Sequence, residues 1–425
     1  MTIKKKVLIV GGGATGLLAA YELQKENIDV IIVERSDVLG GLAGNFYVQG
    51  TSLEKFYHHL FTTDKYALDV IKEVGLGEKL KVYPSNNGIY YENEIHAFSS
   101  PLDMLRFKPV DFIGRVRFGA SSAFLKATKN WKPLEKQLAL KWMNKWAGKR
   151  ATEVIWKPLI EGKFGDRADE IAMSWLWARI HNRSFNLAYL DGGFQQIYEK
   201  LAESIQKKEG EIIFGESVEA LNKVESGVSA TLGSGEVILA DAAIVTVPEP
   251  VFAKMAGYEL DTSRTHGHLG ATCFILELNR SLIPYYWLNI NDKSFPFLAV
   301  VEHTKMVDKK AYGDKNIVYV GNYVPHDDWR FTTDPDVLLK KYIPYLQKLN
   351  PDFEESWIEK SHFFKAPYTQ PIVTRDYGTQ IPPHKTVVPH VWLATMAQIY
   401  PEDRGQNYAF RMAKQITKEV MEDLK

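Results

Sequence analysis

Three glycines near the start of the chain have the spacing that a dinucleotide pyrophosphate requires. Gly11, Gly13 and Gly16 follow a G-x-G-x-x-G pattern. Without side chains, such a turn lets phosphates reach the backbone N–H groups at the start of a helix. Glu34 lies 18 residues after Gly16, where a carboxylate can accept hydrogen bonds from ribose hydroxyls. These residues predict dinucleotide binding.

The segments around the glycines have the patterns that would position them. Residues 6–10 form a short apolar run rich in β-branched residues, which is typical of a parallel strand buried on both faces. Residues 17–25 have apolar positions on one side, as in a helix, and residues 29–33 form a second buried-type strand. The order strand, glycine turn, helix, strand is the order that dinucleotide binding needs.

Composition restricts the class of protein. The chain has 425 residues, 45% of them hydrophobic, with 52 Lys+Arg and 52 Asp+Glu. This neutral balance predicts no nucleic-acid partner, because such partners normally require a basic domain. One cysteine, Cys273, cannot form an intramolecular disulfide or a cysteine-rich zinc site, and the absence of an HExxH motif adds to the expectation of no metal site.

The distribution of apolar residues predicts a protein without a membrane-spanning segment. No run of 18 apolar residues occurs. The apolar run after the first lysines is too short, and too soon interrupted by glycine, for a signal peptide. We therefore expect a cytoplasmic location, with peripheral membrane contact as an open alternative.

Residues 34–44, ERSDVLGGLAG, resemble the segment after the second strand in the superfamily of FAD-dependent amine oxidases, protoporphyrinogen oxidases and phytoene desaturases. Segments 212–248 and 391–418 resemble the returning strands and the closing helix of these flavoproteins. The resemblance implies noncovalently bound FAD, with adenine near Val218 and the flavin near the helix that follows Gly405. The predicted cofactor contacts are Gly11, Gly13, Ala14, Thr15, Gly16, Glu34, Arg35, Gly40, Gly41, Leu42, His59, Val218, Gly405, Gln406 and Asn407.

The scattered motifs imply two interwoven domains. We expect an α/β protein with a Rossmann-type FAD-binding domain assembled from residues 1–65, 185–255 and 385–425. The intervening residues 66–184 and 256–384 would form an α+β substrate domain of helices and antiparallel sheet. Residues 64–180 are expected to be mostly helical.

Two functions follow from the resemblance, and a third stays open. The first is an FAD-dependent oxidoreductase that transfers a hydride between flavin N5 and an organic substrate. Residues 57–63 also resemble the H-x-F-H-T stretch of UDP-galactopyranose mutases, which isomerise a nucleotide sugar; His59, Phe61 and Thr63 match it. The third is a flavin-binding subunit without turnover. His58 and His59 are the candidate catalytic residues, because an imidazole can donate or exchange a proton near neutral pH.

Charge is distributed unevenly along the chain. Residues 101–150 contain 12 Lys+Arg and 3 Asp+Glu, a net charge of +9, so the other residues carry −9. Large apolar residues alternate with these basic ones. The block could be a set of helices with solvated basic faces, a surface for anionic lipid, or a guide for an anionic substrate. We expect a small-molecule substrate, anionic or lipid-like, and the sequence leaves the oligomeric state open.

Overall fold

The computed structural model describes residues 4–260 and 267–425. Its strands, in chain order, are β1 (Lys6–Val10), β2 (Asp29–Glu34), β3 (Asn45–Val48), β4 (Thr51–Glu54), β5 (Leu60–Phe61), β6 (Leu80–Pro84), β7 (Asn87–Tyr91), β8 (Glu94–Ala97), β9 (Asn186–Leu190), β10 (Glu211–Phe214), β11 (Val218–Val224), β12 (Gly227–Leu232), β13 (Val237–Ala240), β14 (Ala242–Val245), β15 (His268–Leu278), β16 (Trp287–Ile290), β17 (Ala299–Glu302), β18 (Asn316–Val324), β19 (Ile358–Pro371) and β20 (Val391–Leu393).

The α-helices connect and cover these strands. In chain order they are α1 (Ala14–Lys25), α2 (Lys65–Glu73), α3 (Pro101–Arg106), α4 (Phe112–Ala127), α5 (Lys132–Glu135), α6 (Ala139–Trp146), α7 (Lys149–Ala151), α8 (Lys157–Phe164), α9 (Met173–His181), α10 (Gln195–Lys207), α11 (Glu249–Ala256), α12 (Trp329–Thr332), α13 (Pro335–Leu349) and α14 (Gln406–Asp423). None of the helices in the described ranges is long and apolar enough to cross a membrane.

A five-stranded parallel sheet forms the centre of the first lobe, in the order β10-β2-β1-β14-β20. Four of the five residues of β1 are buried, as expected of a strand covered on both faces. One face is covered by α1, which packs against α10 and α14. The mixed α/β architecture confirms the predicted fold class, and the parallel sheet draws its strands from segments far apart in the chain.

The strands between residues 211 and 245 belong to two different sheets. β10 pairs in parallel with β2, whereas β11 begins a separate three-stranded antiparallel sheet with β12 and β13. The break is at Gly215, whose φ of +71° favours glycine. The chain can therefore leave the parallel sheet before β11 begins.

The second lobe contains a seven-stranded sheet in the order β19-β15-β18-β17-β16-β7-β8. Helix α13 packs into one core with this sheet, and helices α3–α9 share another with Leu269 and Val373. The expectation of mostly helix between 64 and 180 is wrong for residues 80–97. There β6, β7 and β8 form through pairing with distant strands: β6 pairs with β9, and β7 pairs with β16, which lies 200 residues away in the chain.

Side chains pack across the predicted domain limits in two places. Helix α2 begins at Lys65, yet it packs against α14 of the first lobe, and Ala67 and Ile71 belong to the same core as β1. Tyr312 and Tyr319, from the predicted substrate-domain segment 256–384, also belong to this core. Residues of both lobes therefore contribute to this core.

Candidate active site

The glycine turn lies between β1 and α1, and its glycines have different roles. At Gly11, where φ is +107°, an added Cβ would lie 2.4 Å from Thr246 Oγ1. At Gly16 an added Cβ would lie 2.0 Å from the Gly11 carbonyl oxygen, so close packing of α1 onto β1 requires glycine there. At Gly13 the nearest atom to an added Cβ is Gly41 Cα at 3.9 Å. Gly13, Ala14 and Thr15 remain partly exposed at the N-terminus of α1.

Glu34 is the last residue of β2, and its side chain holds the glycine turn by hydrogen bonds. Its carboxylate accepts hydrogen bonds from the Gly12 backbone N–H at 2.7 Å and the Ser36 N–H at 2.9 Å. A carboxylate has about four acceptor positions, so two remain for ribose hydroxyls. Glu34 is therefore placed to act both as a support for the turn and as a nucleotide ligand.

The second glycine segment, predicted to line the cofactor, runs beside the first. The Gly40 N–H donates to the Gly12 carbonyl at 2.9 Å, and φ is +104° at Gly40 and +58° at Gly41. An added Cβ on Gly41 would lie 3.3 Å from Gly13 Cα. The two glycine segments therefore approach each other here through backbone atoms, with no side chain between them. Arg35 and Leu42 are exposed at the edges of this surface.

The N-terminus of α14 is held by side chains that were predicted as cofactor contacts. Tyr198 Oη donates to Gln406 Oε1 at 2.7 Å, and the Ala67 N–H donates to Asn407 Oδ1 at 3.1 Å. Both side-chain oxygens thus accept hydrogen bonds from the protein, so this helix end would contact a flavin through donors, namely backbone N–H groups and the Gln406 Nε2 amide. Gly405 precedes the helix with an extended φ of 164°.

Val218 begins β11 beneath the parallel sheet. Its side chain is buried in one core cluster with Leu8, Val10 and Val33. The side chain is therefore a packing element, and only the backbone of Val218 is suited to the adenine contact that the resemblance implies.

The two candidate histidines precede β5 and remain partly exposed. His58 Nδ1 lies 2.7 Å from the Phe56 carbonyl, and His59 Nδ1 lies 3.0 Å from Tyr286 Oη. The surrounding protein keeps water from the two imidazoles and so disfavours their charged form. This desolvation lowers the pKa of His58 to about 4. Desolvation also lowers the pKa of His59 to about 3, with a further contribution from the positive charge of Arg183. Both imidazoles are neutral near pH 7.

A buried ionic group that we call the Asp403 cluster lies where the lobes meet. Lys163 Nζ is 3.0 Å from Asp403 Oδ2, Arg179 also binds this carboxylate, and Trp175 Nε1 is 3.4 Å from Oδ1. Burial alone would raise the pKa of Asp403. The positive charges of Lys163, Arg179 and Arg404 outweigh burial and hold this pKa below its ordinary value.

Arg404 extends the Asp403 cluster towards the histidines. It donates to Tyr323 Oη at 2.6 Å and to the Thr369 carbonyl, and its charge contributes to the lowered pKa of His58. Burial and the neighbouring Tyr323 raise the pKa of Tyr57 well above its ordinary value, so this phenol stays protonated. Basic side chains outnumber the one carboxylate in the cluster, which leaves an excess of positive charge.

The sequence alone did not identify this cluster. Lys163 comes from α8, Arg179 from α9, and Asp403 and Arg404 from the turn before α14. These segments are separated by up to about 240 positions, and the one available signal was that Asp403 and Arg404 directly precede the predicted flavin contact at Gly405.

Comparison with known proteins decides the family. The model of the family described as flavin containing amine oxidoreductase matches residues 14–401. The chain belongs to this family. The family is one of flavin-containing oxidoreductases, and the glycine turn, the paired glycine segments and the closing helix are the parts of this chain where its cofactor is expected.

Individual relatives agree with this assignment. Coproporphyrinogen III oxidase of Bacillus subtilis (strain 168) is 25% identical over 290 residues, which cover 59% of this chain and 62% of that protein. A protein of Exiguobacterium sp. 255-15 that carries the provisional name protoporphyrinogen oxidase has a TM-score of 0.80 at 17% identity, with both chains fully covered. Reduced UDP-galactopyranose mutase has a TM-score of 0.76 at 15% identity, covering 99% of this chain and 96% of that one. At such identities the two structures establish the fold alone.

The family implies a flavin, and the residues present fit one. The two glycine segments leave a surface lined by backbone, on which a pyrophosphate can lie without displacing side chains. Gln406 Nε2 is a buried donor at the start of α14 without an acceptor in the described part of the chain. A polar ligand at this helix end would supply the missing acceptor.

Proposed function

We propose that this protein holds FAD noncovalently and transfers a hydride to or from an organic substrate that carries an anionic group. Gly13, Ala14 and Thr15 would bind the pyrophosphate, Glu34 the ribose, and Gly40 and Gly41 would lie along the cofactor. When bound, FAD would supply the hydride acceptor or donor at flavin N5. The remaining steps, namely substrate binding, orientation and proton exchange, belong to the side chains of the protein.

The excess positive charge of the Asp403 cluster is the observation that carries the anionic-substrate proposal. Asp403 compensates one of the three neighbouring cations, Lys163, Arg179 and Arg404. Uncompensated charge away from water is costly, and desolvation lowers the pKa of Lys163 well below its ordinary value. A carboxylate or phosphate of the substrate would balance this charge and fix the orientation of the molecule.

We predict that Arg404→Met weakens the binding of small anions to the FAD-loaded protein at least about 10-fold, through loss of a charge-assisted contact. Binding of benzoate and of pyrophosphate is read from the flavin absorbance. Lys360→Met, which removes an exposed positive charge on β19, is the matched control and should bind like the unmodified protein. Arg404→Lys keeps the charge and should bind these anions with an affinity between those of R404M and the unmodified protein. Equal affinities in R404M and K360M would contradict the proposal.

His59 is the proposed proton-exchanging residue, acting as a neutral imidazole. We predict that His59→Ala lowers turnover roughly 100-fold while the FAD content stays unchanged. With a pKa of about 3, His59 has no titration step near pH 6.5. The relative loss should therefore be constant between pH 5 and pH 8. A loss that disappears above pH 7 would show instead that a protonated His59 is needed, and unchanged turnover would exclude His59 from the mechanism.

A mutase-like isomerisation is the second candidate, because a nucleotide diphosphate would also balance the Asp403 cluster. Two of the matching residues lie together, with the ring centroids of His59 and Phe61 5.3 Å apart. The third, Thr63, donates through Oγ1 to the Asn182 carbonyl at 2.6 Å. Anaerobic spectra separate the two reactions. Bleaching of the flavin by substrate supports net oxidation, whereas turnover that begins only after dithionite reduction supports isomerisation.

A further inference from the structure

Helix α4 turns an apolar face towards solvent. Its 16 residues span about 24 Å. Phe112 is 65% exposed, Ile113 70% and Phe124 57%. The other exposed residues of this face are apolar or lack a side chain, namely Val116, Gly119, Ala120, Ala123 and Ala127.

The apolar face continues onto neighbouring helices. Leu102 and Leu105 of α3 are about half exposed, and so is Trp146 at the end of α6. Arg117 on α4 donates to the Trp146 carbonyl at 3.2 Å, which places the end of α6 beside α4. We call this combined surface the α3–α4 face. It groups exposed apolar side chains of three helices, whereas an ordinary soluble surface exposes such residues singly.

Basic side chains surround the α3–α4 face. Arg106, Lys108, Arg117 and Lys145 are exposed around it. Lys149 is exposed as well and forms an ion pair with Glu153 at 3.8 Å. The acidic residues nearby are engaged: Asp103 and Asp111 accept backbone N–H bonds as the N3 residue of α3 and the N-cap of α4. Because residues 101–150 contain 12 Lys+Arg and only 3 Asp+Glu, the region around this face has a net positive charge.

We propose that the α3–α4 face docks on a membrane containing anionic lipid, with α4 lying in the plane of the interface. Apolar side chains would enter the boundary between headgroups and acyl chains, while the basic rim would contact lipid phosphates. A second copy of the chain fits less well, because pairing two such faces would bring two positive rims together. An apolar face within a positive rim matches the chemistry of an anionic bilayer surface.

The test is co-sedimentation of the full-length protein with vesicles of phosphatidylcholine, with and without roughly 30% phosphatidylserine, at low salt. We expect binding that requires the anionic lipid. The variants F112S/I113S and R106E/K108E should each bind at least about 10-fold more weakly. Matched controls change equivalent exposed residues elsewhere, L239S/V387S for apolar character and K309E/K310E for charge, and should bind like the unmodified protein.

A second measurement keeps the proposal testable if a double variant does not fold. Cys273 is buried, so Ala120→Cys adds one accessible thiol on the α3–α4 face, and Ser234→Cys adds one on the first lobe. A polarity-sensitive dye should shift to the blue on anionic vesicles at position 120 and not at 234. The proposal is overturned if the protein stays unbound at low salt or if both dyes respond alike. It is also overturned if sedimentation shows a dimer that F112S/I113S dissociates.

Discussion

Replacement of Gly13 by alanine should abolish most FAD affinity and leave the fold unchanged. Gly13 has φ of −78° and ψ of −178°, which alanine adopts without strain, and its added Cβ meets no atom closer than 3.9 Å. The new methyl group would instead occupy the surface on which we place the pyrophosphate. Loss of two charge-assisted hydrogen bonds corresponds to roughly 100-fold in Kd.

The measurement combines FAD titration by fluorescence with thermal unfolding of the FAD-free protein. Gly119→Ala, the same chemical change where an added Cβ meets nothing within 4 Å, should leave FAD affinity unchanged and, because Gly119 lies inside α4, should raise the unfolding temperature slightly. Gly16→Ala should lower the unfolding temperature, because its Cβ would collide with the Gly11 carbonyl. FAD affinity unchanged in G13A would show that the pyrophosphate does not lie on this turn.

Replacement of Asp403 by asparagine should destabilise the protein by about 3 kcal/mol, because a buried ion pair is broken and its partner charges remain. The Asp403 side chain is 19% exposed, and those of Lys163 and Arg179 are 6% and 16% exposed. Solvent therefore compensates little of the loss. Denaturation by urea, followed by circular dichroism, measures the change.

Two variants make this prediction specific. Asp376→Asn removes a carboxylate from a pair with Arg375 in which both side chains are about half exposed, so we expect almost no change. The double variant D403N/R179M should lose less stability than the sum of its single changes, because it removes one of the uncompensated charges. Equal stability of D403N and D376N would contradict the ionic account of the Asp403 cluster.

The glycine turn and its supporting carboxylate were predictable because their geometry is local in sequence. Gly11, Gly16 and Glu34 act through backbone geometry and one nearby carboxylate, so their spacing carries the information. The Asp403 cluster is different. Lys163 and Arg179 are single basic residues in two helices, and only the tertiary fold brings them to Asp403.

The strands of the second lobe likewise could not be predicted from local sequence patterns. Strand β7 forms because it pairs with β16, and no local pattern near residue 87 indicates a partner that distant. The basic block from 101 to 150 was visible as composition, but periodicity cannot tell whether an apolar helix face points to a core or to solvent. The exposure of Phe112 and Ile113 was therefore available only from the structure.

The flavin content of the purified protein tests the central claim most directly. We predict a yellow protein with close to one FAD per chain, released by acid precipitation because no covalent bond holds it. The absorbance spectrum before and after precipitation, together with chromatography of the released cofactor, gives both quantities. A correctly folded protein that is colourless and fails to bind added FAD would contradict the account.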